Sequence, residues 1–120
     1  MSHHPFEMFS EMIDSLPAKA VLRAAAIERH MIDEDIALRR MPSNSDTDSI
    51  KAFCRFLDDA AYGRIAAPGA ISTGHWAFYA KTVERLVAAG ELPQQAQQVF
   101  EAARHDVVSR VKSWADSPTS

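Results

Sequence analysis

Glu28 and Asp35 stand seven residues apart, two turns of a helix, so on a helix both carboxylates share one face. The same face collects Ala20, Val21, Ala24, Ala25, Ile27, Met31, Ile32 and Leu38, and Arg39 falls near its edge. A carboxylate turned toward an apolar surface is costly unless paired. Arg39 follows Asp35 by four residues, the spacing of an intrahelical ion pair, and that pairing is expected. Two readings follow. This helix contacts two neighbours and leaves a polar seam between them, or Glu28, Asp35 and Arg39 line an acidic pocket for a ligand, a metal or a partner.

A second set of residues points to recognition. Trp76, Tyr79, Val83 and Leu86 share one helical face, while Phe78 falls almost opposite them beside Lys81 and Arg85. Tyr62 also falls off the apolar side of its segment. Aromatic and arginine side chains together are what protein interfaces use as anchors. Phe78, Arg85 and Tyr62 are therefore a candidate partner surface, for a second copy or another protein. The competing expectation is that the N-terminal helix or the 66–70 loop covers Phe78.

The remaining chemistry-bearing residues give no constellation. Five histidines invite a metal site, but no Glu-x-x-His pair of the carboxylate-bridged bundles occurs. His30 and His105 turn away from their helices' apolar faces. Ser2-His3-His4 resembles an amino-terminal copper- or nickel-capturing motif, and also reads as an unstructured polar terminus. Asp14-Ser15-Leu16 resembles the tripeptide around the modified serine of acyl carrier proteins, but Pro17 follows at once, and Ser15 reads as a helix boundary. The spacing of Arg23, Arg40 and Lys51 resembles that of the all-helical chorismate mutases, but Pro42 and a Ser/Asn/Asp run interrupt the helix those cations would share. Cys54, the only cysteine, lies in the apolar run Phe53-Cys54-Arg55-Phe56-Leu57 and reads as a buried small hydrophobe. There is no Gly-rich phosphate loop and no nucleophile elbow. No cofactor and no catalytic residue is assigned.

Prolines and glycines divide the chain, and between them apolar residues recur every three or four positions. The spacing predicts a short helix from Pro5 to Ser15 and a second from Pro17 to about Arg40. A third begins near Thr47, capped by Ser45 or Asp46. A fourth follows Ser72 or Thr73 and closes at Gly90, and a fifth follows Pro93. The fifth carries the cleanest stripe, with Ala96, Val99, Phe100, Ala103, Val107, Val111 and Trp114. Trp76 and Trp114 are expected in the core. The fold class is all-α: an antiparallel-leaning bundle of four main helices with the short N-terminal helix docked on it, one domain over 1–120, with flexible ends at 1–4 and 117–120.

Composition narrows the function classes. The 120 residues are 47% hydrophobic and 24% charged, enough for one core without metal or disulfide staples. A net charge of -3 argues against nucleic-acid binding, which rests on cationic surface. No apolar run is long enough for a membrane span and no signal segment is evident, so a soluble cytoplasmic protein is expected. The reading that remains is a small non-enzymatic interaction or regulatory module with a protein partner or self-association. The alternatives are a ligand- or metal-binding bundle using the acidic seam, and a small helical enzyme with dispersed residues.

Overall fold

The computed structural model describes the backbone of residues 5–116 and the side chains of residues 5–110. Among these residues it is all-α. The helices are α1 (Pro5–Ser15), α2 (Ala18–Ala37), α3 (Ser45–Ala61), α4 (Trp76–Ala88) and α5 (Gln94–Asp116), with one 3-10 turn, Thr73–His75, leading into α4.

The boundaries have local causes. Pro17 is extended (φ -66°, ψ 151°) and separates α1 from α2. Asn44, rather than Ser45 or Asp46, caps α3. Its side chain accepts the Thr47 N–H at 3.0 Å, and Thr47 Oγ1 accepts the Asn44 N–H at 3.0 Å. This is a reciprocal capping box with threonine in the position usually held by glutamate or glutamine.

Three helices end alike. After α3 and α4 the chain turns left-handed at Gly63 (φ 83°) and Gly90 (φ 78°). The N–H that follows each glycine bonds back into the last turn, Arg64 to the Asp59 carbonyl and Glu91 to the Leu86 carbonyl. Helix α2 uses the same closure with a non-glycine residue: Arg39 takes φ 58°, and the Arg40 N–H reaches the Asp35 carbonyl at 2.8 Å. The expected continuation to Arg40 therefore stops at Ala37.

Helix α3 is the centre of the bundle, burying Ile50, Phe53, Cys54, Phe56, Leu57 and Ala60. Helix α2 packs mainly on α3 and α5 on α4. Rings join the two pairs: Phe53 stacks on Tyr79 with centroids 3.9 Å apart, and Phe100 contacts Phe53, Phe56 and Trp76. Helix α1 lays Phe9 and Ile13 into the core. Trp76 is buried as expected. Helix α5, at 23 residues, outruns the 13 residues of α4. Ala96 and Phe100 are buried, while Val99, Ala103 and Val107 are partly covered. The side chains of Val111 and Trp114 lie outside the described residues, as do the termini 1–4 and 117–120. Among the described residues no helix is long and apolar enough to cross a membrane.

Candidate functional site

The sequence-derived partner surface does not stand open. Phe78 is half-buried, and the Phe6 ring of α1 meets it edge-on at 5.8 Å. Arg85 reaches back across α1, donating to the Leu16 carbonyl at 3.2 Å and the Ile13 carbonyl at 3.0 Å. These are carbonyls of the α1 C-terminus, where helical partners run out and the dipole favours a cation. Arg85 is thus a cap for α1, and the N-terminal helix covers the Phe78 face. Tyr62 lies just past α3 and is 74% exposed; its ring touches the Arg64 guanidinium at 5.8 Å and makes no ring contact with Phe78.

The acidic seam is present, with a different partner. Asp35 pairs with Arg40 at 3.5 Å and not with Arg39, because the left-handed turn at Arg39 takes that residue off the helical i+4 position. Glu28 is half-buried, and no described side chain pairs with it. Burial, and then the charge of Asp35, hold its carboxyl above the ordinary glutamate range. Among the described residues no three histidine, cysteine or acidic side chains gather into a metal-holding group.

Next to that seam lies an apolar strip that sequence reasoning had assigned to the core. Ile27, Met31 and Leu38 are 51%, 50% and 52% exposed. The inward side of α2 is formed by Val21, Ala25 and Ile32, all buried. The strip is therefore a second face of the same helix, turned roughly 115° from the core. Ala20 and Ala24 continue it toward the N-terminus, both only partly covered.

Sequence reasoning also passed over His75, which lies at the centre of a buried polar knot. The imidazole stacks flat on Phe6, with centroids 3.6 Å apart. Its Nδ1 is 2.9 Å from Ser49 Oγ, and its Nε2 is 3.7 Å from Asp46 Oδ1. Ser49 Oγ also accepts the Ser72 N–H at 2.9 Å. Its own proton is thus available to Nδ1 whenever that nitrogen acts as acceptor. Serine, histidine and aspartate together suggest nucleophilic chemistry, but Ser49 is fully buried and its hydroxyl is committed on both sides. The knot ties the segment before α4 to α3. The Asp46 and Ser49 spacing of three was visible in the sequence; the long connection that brings His75 to them was not.

Beside the knot, the buried Tyr79 hydroxyl has no hydrogen-bond partner among the described residues. Burial pushes this phenol well up, and the nearby Ser49 hydroxyl opposes the shift without reaching hydrogen-bond geometry.

An open groove of about 640 Å³ runs between α2, α3 and the 64–70 loop. Its charges are largely paired, Lys51 with Asp33 at 2.5 Å and Asp59 with Arg64 at 3.3 Å and Arg55 at 3.9 Å. Compared with protein-family models, curated proteins and solved structures, the chain finds no match.

Proposed function

We propose that this chain is a protein-interaction module whose contact surface is the outer strip of α2, and that its partner contributes an amphipathic helix. The observation that carries this reading is the exposure of Ile27, Met31 and Leu38, each about half open, the first two on one face of α2 and Leu38 at its C-cap. Single exposed apolar side chains are ordinary on folded surfaces. Three in one row at spacings of four and seven form a continuous seam, the pattern by which one helix receives another. Glu28 and Asp35 on one edge and Arg23 and His30 on the other give the seam a charged rim, as interfaces have around an apolar centre.

Site-specific photo-crosslinking in the native host tests this reading. A photoreactive residue at Met31 is expected to join a defined helical segment of a protein, while the same residue at exposed Glu101 on α5 does not. Equal labelling from both positions would defeat the proposal.

A further inference from the structure

Resting on the reading of α2 as a contact surface, we infer that the helix received there is α2 of a second copy, lying parallel to the first. The charge order around the seam points to it. The positions facing a partner run Ala20, Ala24, Ile27, Met31, Glu34 and Leu38, alternating steps of four and three, which is the heptad rhythm of paired helices. On one flank of this row stand Arg23 and His30, and on the other Glu28 and Asp35.

In a parallel pair each flanking residue meets the opposite flank of the other helix, five residues further along. Arg23 then faces Glu28 of the second copy and His30 faces Asp35, and symmetry repeats both contacts. An antiparallel pair sets like flanks together, the Glu28 and Asp35 edge against the same edge of the copy and the Arg23 and His30 edge against its own. Charge therefore selects the parallel arrangement. Glu28 and Arg23 have no ion-pair partner in their own chain among the described residues, so their contact displaces none, while His30 and Asp35 would share each other with Glu34 and Arg40.

Ala20 and Ala24 let the N-terminal halves approach closely, while Ile27, Met31 and Leu38 fill the middle and the end. Glu34 holds one inner position, beside His30 of its own helix at 3.9 Å, and opposes its own copy across the axis. This mismatch and the short seam make a small interface, of the weak class that buries less than about 1,200 Å².

Sedimentation velocity of the full chain, from about 1 μM to about 1 mM, reads the association directly. A concentration-dependent monomer–dimer equilibrium is expected. Arg23→Glu weakens it by about tenfold or more, and Arg23→Glu combined with Glu28→Arg restores it. Glu34→Leu tightens it. Ile27→Cys and Ala20→Cys, made separately and oxidised at dimer-forming concentration, each link two copies, because in a parallel pair both residues meet their own counterparts, whereas an antiparallel pair brings at most one of them to its counterpart. Circular dichroism checks that each variant folds. If Glu28→Arg does not, the cross-links and Glu34→Leu still decide the matter.

A wild type that stays monomeric throughout overturns the inference, and so does a dimer that is indifferent to Arg23→Glu or whose Ile27→Cys and Ala20→Cys variants do not both form an intermolecular disulfide. A monomeric wild type that still crosslinks a foreign helix from Met31 leaves the interaction reading standing without self-pairing. No association and no crosslink defeats both.

Discussion

Replacing Arg85 by alanine should loosen the whole N-terminal helix. The guanidinium donates to two carbonyls at the end of α1, at 3.2 and 3.0 Å. A hydrogen bond from a charged group contributes about 1.5–3 kcal/mol net. The Ile13 carbonyl keeps the Leu16 N–H at 3.2 Å, so only the Leu16 carbonyl loses its described partner. The site is also only part-buried, so solvent replaces some of what is lost. Taking the lower end for one bond and less for the other gives about 2 kcal/mol. For a domain of this size that corresponds to roughly 6–10 °C in Tm. Differential scanning calorimetry measures the total, and hydrogen exchange should place the added opening in residues 6–16. Arg85→Lys retains the charge facing the α1 dipole, worth about 0.3–1 kcal/mol, and so should recover less than half of the loss. An Arg85→Ala protein with unchanged Tm and unchanged exchange in α1 would refute the capping role and leave the apolar and ring contacts of Phe6, Phe9 and Ile13 to anchor the helix.

Three further perturbations follow from the same geometry. Glu28→Gln should stabilise the monomer at neutral pH by up to about 1 kcal/mol after allowing for solvent screening. Because the folded carboxyl is held high, its ionisation opposes folding. The advantage is thus present above the raised folded value and fades as pH falls to the unfolded one, which paired urea titrations at neutral and acid pH would show. Ser49→Ala should cost about 2–4 kcal/mol, because the Ser72 N–H and His75 Nδ1 both lose a buried partner; chemical denaturation measures it, and a loss below half a kcal/mol would argue against the knot. Arg39→Gly should raise stability by up to about 1 kcal/mol, since glycine adopts the left-handed turn without the side-chain clash, and a lower Tm would mean that the Arg39 side chain contributes more than its backbone strain takes away.

What the sequence made legible was local in origin. Pro5, Pro17 and Pro93 start helices and Gly90 ends one because the ring and the missing Cβ act within a turn of themselves. The all-α class followed from the period of the apolar residues. Arg39 escaped notice because no glycine marks its left-handed turn, and Asn44 because Thr47 replaces the usual acidic member of its box. Phe78 and Arg85 were placed correctly on one face of α4, but the wheel of a single helix does not say which neighbour lies against that face. That depends on α1, some seventy residues away. The broad apolar arc of α2 had the same ambiguity: Ile32 and Met31 carry equal weight in the sequence, yet one is buried and the other half open.

The Arg85 clasp is also one of the last contacts of α1 to form as the chain is made. Its two acceptors lie 69 and 72 residues before it. At ribosomal speeds of about 5–20 residues per second, roughly 4–14 s separate the synthesis of Ile13 from that of Arg85. Phe6 waits almost as long for His75 and Phe78. Throughout that interval α1 can pack only on α2 and α3, and its last carbonyls and the Phe6 ring wait for α4. A nascent chain halted before α4 therefore leaves Phe6 without its ring neighbours, an apolar side chain open to a chaperone or to another unfinished chain.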